Sequence, residues 1–282
     1  MKITLSLLTA GLFLTACSND NTPEEKKSVT ETETTKNDES IDDDFVLPQP
    51  IVLATAFRDA GLTYQPGKTN PVSAKDKYSL KIDQLLNLGV YSTDLAYCAL
   101  NSKSQEARDY LSAVQSLGDK VGLSSVFSDK AMIERFDKSL DDPKALEGMI
   151  YELQEKSESY MQDNDLRHLS AVQFAGAWTE GMFLGIDDAR KKATLGVAIV
   201  DQMVLLESTI KGLQNQPTED ARLKTILSSF QDILATYGNF SSVKAASKNA
   251  NFEAPKLTPA EFDQLAQKIT ALRTSIVSPS KK

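Results

Sequence analysis

Three acidic residues could carry chemistry because each of them interrupts an apolar stretch of the chain. Asp94 lies in GVYSTDLAYCAL, Glu180 in FAGAWTEGMFLG and Asp201 in LGVAIVDQMVLL. A carboxylate in such a segment faces solvent through a gap, pairs with a base or hydroxyl, or belongs to a site where burial raises its pKa. With Tyr91 and Trp178 as stacking walls, the three carboxylates would line a central cavity. Two of them would need to lie roughly 5 to 10 Å apart to act as general acid and base.

The same segments also allow a purely structural interpretation. Asp94 or Glu180 would then accept a hydrogen bond from a Tyr hydroxyl or a helix-end amide. Ala177, Gly181 and Gly185, spaced by four, would form a smooth ridge that lets another helix approach closely, or else the floor of a ligand cavity. The sequence leaves both interpretations open. The five residues of the first paragraph are therefore candidate ligand-binding residues, and we assign no catalytic residue.

The other reactive side chains are few. One His and two Cys cannot supply a Cys/His zinc site, a bis-His haem or a four-helix di-iron centre, so we expect no metal and no cofactor. His168 follows Asp165 by three residues and is predicted to be an exposed or capping residue at the start of a helix. Cys98 is predicted to be a small buried hydrophobe. The acidic and basic residues from Glu152 to Glu158 are predicted to form a solvated helix face.

Several function classes are excluded by composition and by missing motifs. The chain has 282 residues with 41% apolar and 25% charged residues, enough for one sizeable core. Its formal charge of −8 argues against nucleic-acid binding. A Gly-rich phosphate loop, a G-x-S-x-G elbow and a dinucleotide-binding G-x-G-x-x-G are all absent from the sequence. An enzyme is therefore the less favoured interpretation.

The elements that must position these residues are predicted to be helices, because apolar residues past Val46 recur at helical spacing. We expect an all-α fold, a single globular array of about nine helices with mostly antiparallel neighbours. A degenerate stack of helical hairpins remains an alternative. The helices are expected near 50–61, 73–100, 102–121, 128–140, 143–161, 166–186, 189–213, 217–238 and 258–276. Those at 166–186 and 189–213 are predicted to form a central apolar hairpin with a turn near Asp187–Asp188.

The N-terminus has the pattern of a targeting signal. Lys2 precedes a mostly apolar run, Ile3–Phe13, that is too short to span a bilayer, as in a secretory signal peptide. The sequence Leu14-Thr15-Ala16-Cys17 that follows resembles the lipobox of bacterial lipoproteins. By that resemblance, residues 1–16 are cleaved and Cys17 becomes the first mature residue, carrying acyl chains such as palmitate. More than one chain suffices for stable membrane anchoring, at about 0.8 kcal/mol per buried methylene.

An acidic segment separates this anchor from the rest of the chain. Between Ser18 and Phe45 there are ten acidic and three basic residues and almost no apolar ones, so we predict a disordered tether over 17–45 and a nearly neutral helical domain over 46–282. Ser18, where lipoproteins retained in the inner membrane carry Asp, resembles an outer-membrane address. The acids after Cys17 resemble an export tag of Bacteroidota surface lipoproteins, so the periplasmic and the surface side both stay open.

These features together predict an envelope lipoprotein of the outer membrane. Beyond the lipobox, the acidic tether followed by NLGVYSTDLAYC and FAGAWTEGMFLG resembles uncharacterised helical lipoproteins of Bacteroidota, a resemblance that implies no activity. The favoured hypothesis is a helical domain that binds a partner protein of the envelope or a small ligand. The alternative is an enzyme or ligand sensor that uses the buried carboxylates and aromatics.

Overall fold

A computed structural model describes residues 47–217, 220–248 and 253–280. The predicted signal peptide, the predicted lipidation site Cys17 and the predicted tether lie outside the described residues. Those that are described belong to one compact unit.

The all-α prediction is confirmed, since the described residues contain helices and no strand. Twelve α-helices are present in this part of the chain, where about nine were expected. They are α1 (Pro50–Asp59), α2 (Lys81–Leu100), α3 (Ser104–Val121), α4 (Ser124–Phe127), α5 (Lys130–Ser139), α6 (Pro143–Asp163), α7 (Arg167–Ala189), α8 (Ala193–Gln202), α9 (Leu205–Gln214), α10 (Ala221–Asn239), α11 (Ser241–Ala246) and α12 (Pro259–Val277).

Local capping chemistry sets many of the helix starts. The side chains of Asp129, Asp142 and Asp220 each accept hydrogen bonds from two backbone amides of the helix that follows. Before α12, the Thr258 hydroxyl and the Glu261 carboxylate form the predicted capping box. The cap of α5 is Asp129 and not Ser128, and α10 begins at Ala221 and not Pro217, because a carboxylate supplies the acceptor at those positions.

Two expected helices are broken. The segment 73–100 divides into a 3-10 turn, Val72–Lys77, and α2, because Tyr78 between them is extended and turns its ring into the core with 2% exposure. Its hydroxyl donates to the Val277 carbonyl (3.3 Å). The segment 189–213 divides into α8 and α9 around Met203–Val204. In addition, α7 continues to Ala189, past the turn expected at Asp187–Asp188.

The centre of the fold is the pair formed by α2 and α7, which make the most extensive helix contact, and not the expected hairpin of α7 with the segment after it. Their backbones touch. A Cβ atom on Gly176 of α7 would overlap the Leu86 carbonyl of α2, and one on Gly89 of α2 would overlap the Gln173 carbonyl and lie 2.7 Å from the Ala177 nitrogen. Only glycine allows this reciprocal approach.

The predicted ridge of Ala177, Gly181 and Gly185 is a packing surface. Gly181 faces α1, where a Cβ atom would meet the side chain of Leu53 with 3.0 Å to its Cγ. Gly185 lies against Phe57 and Ile199, each 3.5 Å from such an atom. The ridge therefore packs against α1 and part of α8. The closest helix crossing, between α2 and α7, is instead at Gly176.

One stretch of the described residues, Ala193–Gln214, is long and apolar enough to cross a membrane by composition. It contains the break between α8 and α9, and Leu195, Ile199 and Leu206 within it are fully buried in the core. Its apolar character is thus accounted for by packing inside the domain.

Candidate functional site

Glu180 forms an ion pair in the core of the domain. α7 places its carboxylate at 0% exposure against α12, where Arg273 donates from Nε to Oε2 (2.8 Å) and from Nη2 to Oε1 (2.9 Å). The guanidinium also lies over the ring of Phe183, with 4.2 Å from Cζ to the centroid. A bidentate pair of this kind is geometrically specific and satisfies both carboxylate oxygens.

Asp94 of α2 lies beside this pair. Its Oδ2 accepts a hydrogen bond from the Asn70 amide (3.0 Å), and its Oδ1 has no hydrogen-bond partner among the described residues. Complete burial, followed by the Glu180 charge, raises the pKa of Asp94 well above its ordinary value. Burial raises the pKa of Glu180 as well, but Arg273 opposes that rise. The neutral form is therefore favoured more strongly at Asp94 than at Glu180.

Tyrosine side chains enclose the loop that reaches Asp94. The Tyr91 hydroxyl donates to the Pro71 carbonyl (2.9 Å), and its ring lies 6.4 Å from Tyr78 and 6.0 Å from Tyr110. Tyr110 hydrogen-bonds the Asn70 carbonyl (2.9 Å). Burial raises the pKa of all three phenols, so they remain neutral hydrogen-bonding groups.

The five predicted residues are brought together only in part. Asp94 lies near both Glu180 and Tyr91. Trp178 points elsewhere, with its ring 5.5 Å from Phe230 and its Nε1 donating to the Gln202 carbonyl (3.1 Å). Asp201 is exposed and does not join the other carboxylates. In the central cluster, Asp94 and Glu180 are fully buried and the Arg273 side chain is 14% exposed, and the three residues come from α2, α7 and α12.

The remaining candidates show no reactive arrangement. Cys98 is a fully buried free thiol, and burial raises its pKa, as expected for a small hydrophobe. His168 is half-buried, and its carbonyl accepts from Gln216 Nε2 (2.6 Å). Within the described residues, no three His, Cys, Asp or Glu side chains are grouped as metal ligands.

A second candidate site, which the sequence did not predict, is a pocket of about 290 Å³ between the start of α1, one face of α6 and the first turns of α7. It combines apolar with polar side chains. It is lined by Leu47, Pro48, Gln49, Pro50, Gln154, Ser157, Glu158, Met161, Gln162, Arg167, Ser170, Gln173 and Phe174.

Four buried polar atoms that lack a hydrogen-bond partner belong to residues lining this pocket. They are Gln49 Oε1, Gln154 Nε2, Ser157 Oγ and Gln173 Oε1. The side chains of Gln154, Ser157 and Gln173 are at most 9% exposed, so bulk solvent does not satisfy them fully. Since an unpaired buried polar group costs about 1 to 3 kcal/mol, these atoms reduce the stability of the fold beside the pocket.

Gln154 joins α6 to the start of α1. Its Oε1 accepts from the Ile51 backbone amide (2.9 Å), which caps the first turn of α1 from a distant helix. Because an N–H must meet an oxygen, the Nε2 group is the end without a partner. This hydrogen bond holds Gln154 in place at the edge of the pocket.

A pair of opposite charges also lines the pocket. Burial raises the pKa of Glu158, and the nearby charge of Arg167 opposes this rise. The prediction that Glu152–Glu158 forms a solvated face is therefore wrong at its C-terminal end, because α6 turns Gln154, Ser157 and Glu158 toward α7. The spacing of these residues could have predicted this, because Gln154 and Ser157 lie among Ile150, Leu153 and Met161 on the apolar side of α6.

No family model, curated protein or solved structure matches this chain.

Proposed function

We propose that the chain is an outer-membrane lipoprotein of the bacterial envelope whose helical domain binds a small ligand in the pocket between α1, α6 and α7. The lipobox Leu14-Thr15-Ala16-Cys17 supports the anchor, and the acidic segment after it supports a tether. The observation that carries the binding role is the pocket itself, a space of about 290 Å³ lined by both apolar and polar side chains.

The pocket suits binding better than the central cluster does. A volume of about 290 Å³ is near the lower end of the roughly 300 to 1,000 Å³ found for small-molecule sites, and far above the about 30 Å³ that one water takes. The Asp94 and Glu180 carboxylates, in contrast, are fully buried, and Glu180 is already paired with Arg273. We therefore propose a binding module and not an enzyme acting through these carboxylates.

Filling the pocket should abolish ligand binding without unfolding the chain. Ser170→Phe places a ring at a partly exposed position that lines the pocket, and Ser112→Phe, on an exposed position of α3, is the matched control. We expect ligand-observed NMR with a chemically broad fragment library to detect fragments bound to the unmodified full chain and to the control. Ser170→Phe should lose them while its melting temperature stays close to that of the control. Absence of any fragment from the unmodified chain would refute the binding role.

The anchor is tested separately. Cys17→Ser should prevent incorporation of a labelled fatty acid, because the side-chain sulfur that receives the first acyl group is gone. Cys98→Ser is the matched control, since this buried thiol lies in the core and should leave labelling unchanged. Equal labelling of Cys17→Ser and the parent would contradict the lipobox interpretation.

A further inference from the structure

We propose that a groove between the α8–α9 break and α10 is a docking surface for a partner protein, which binds through a segment that carries a bulky apolar side chain beside Lys or Arg. The apolar residues of this α8–α10 groove are Val200, Met203, Val204, Leu234 and Tyr237. The groove shares no lining residue with the pocket between α1, α6 and α7, so the inference does not depend on the proposed ligand site.

The first observation is the exposure of Val204. At 74%, it is the most exposed large apolar side chain in the part of the chain that the structure describes. It lies at the break between α8 and α9, directly after the buried Met203, and Val197 of α8 is exposed as well. Because a single exposed valine is ordinary on a protein surface, the argument depends on what surrounds Val204.

Val204 borders an open space of about 590 Å³ that other apolar side chains also line. Leu234 and Tyr237 of α10 are only half-buried, so part of each side chain remains accessible in the groove. Several apolar side chains that converge on one open groove mark an interaction site more strongly than scattered ones do. The groove therefore offers the apolar centre that a protein interface requires.

Two carboxylates border the same groove. Asp201 and Glu207 lie three residues before and three residues after Val204, and both side chains are exposed. Burial, followed by the charge of Asp201, raises the pKa of Tyr237, which is consistent with a position of this carboxylate close to the ring. Among the described residues that line the groove, none is Lys, Arg or His. The rim of the apolar centre is thus negative.

This negative rim selects among the possible occupants. An anionic lipid surface and the acidic segment between Ser18 and Phe45 have the same sign as the rim and would be repelled. A second copy that docked through the same groove about a two-fold axis would bring four carboxylates together. A partner segment with Lys or Arg beside a bulky apolar side chain matches both the rim and the centre.

The test uses a display library of random short peptides, selected on the full chain. We expect the recovered peptides to place Lys or Arg beside a bulky apolar residue, and we expect their binding, followed by fluorescence anisotropy, to weaken as salt is added. Recovery of no peptide, or of peptides that lack this pairing, would overturn the proposal.

A change at the apolar centre identifies where a recovered peptide binds. Val204→Ser should weaken its binding about tenfold or more, and the variant should fold like the parent because Val204 is exposed. Val52→Ser, at an exposed valine of α1 outside the groove, is the matched control and should bind as the parent does. Equal binding by Val204→Ser and the parent would exclude the groove as the site.

A second pair of variants tests the charge. Asp201→Asn combined with Glu207→Gln should weaken binding about tenfold or more and reduce its salt dependence. Asp119→Asn combined with Glu134→Gln removes two exposed carboxylates outside the groove and should leave binding unchanged. If both double variants bind like the parent, the carboxylates do not select the partner and the proposal is wrong.

Sedimentation velocity of the full chain tests a second copy as the occupant. We expect Val204→Ser and the parent to sediment alike. A parent dimer that Val204→Ser abolishes would assign the groove to self-association and overturn the proposed partner.

Discussion

Gly176→Ala should destabilise the domain by more than about 3 kcal/mol, although alanine is the better helix former. The added methyl group would overlap the Leu86 carbonyl, and a backbone carbonyl cannot rotate away as a side-chain tip can. To make room, α2 and α7 would have to separate along the most extensive contact in the fold. Urea denaturation of the full chain, followed by circular dichroism, measures the loss.

Two other glycines in helix interiors provide graded controls. At Gly181 the new atom would press on the flexible end of Leu53, so Gly181→Ala should cost only about 1 kcal/mol. Gly148 of α6 is exposed with nothing nearby, so Gly148→Ala should gain up to about 1 kcal/mol. An equal response at Gly176 and Gly148 would show that α2 and α7 are not in backbone contact.

The helical class and many helix starts could be predicted because they follow from local chemistry. Apolar spacing, Pro50, Pro143 and the Thr258–Glu261 capping box all act within one or two turns of the chain. The break before α2 could not be predicted in this way. Tyr78 leaves the helix because its ring and hydroxyl are held by partners as far away as Val277 in sequence.

Only part of the candidate site could be predicted from the sequence, for the same reason. Asp94 and Glu180 were visible because each interrupts an apolar run, but their partner Arg273 was not singled out. A sign was present, since Arg273 is four residues after Ile269 and three before Ile276, on the apolar side of α12. The pocket depends on glutamines from three separate helices or their caps, and no local pattern joins them.

Arg273→Met should destabilise the domain by about 3 to 5 kcal/mol, the second large effect that we expect. Methionine retains much of the apolar volume beside Phe183 but leaves Glu180 as a fully buried carboxylate without a cation. Arg190→Met is the matched control. Its partner Asp263 is well exposed, and loss of that pair should change the free energy of unfolding by less than about 1 kcal/mol.

A second substitution shows whether the buried charge causes the loss. In Arg273→Met combined with Glu180→Gln, no unpaired carboxylate remains, so the double variant should regain most of the lost stability. A double variant as unstable as Arg273→Met alone would mean that the guanidinium acts through packing against Phe183 and not through its charge.

The raised pKa of Asp94 gives the folded domain a defined response to pH. The pKa of Asp94 is raised in the folded state. Above the ordinary pKa of an aspartate, the unfolded chain has therefore already released a proton that the folded domain still holds. The stabilising contribution is complete at pH values below that ordinary pKa and is lost as pH rises through the raised one. Asp94→Asn keeps an acceptor for the Asn70 amide and does not titrate, so it should remove this dependence. Urea unfolding at several pH values should then show the parent losing stability relative to Asp94→Asn as pH rises; parallel curves would place no proton on Asp94.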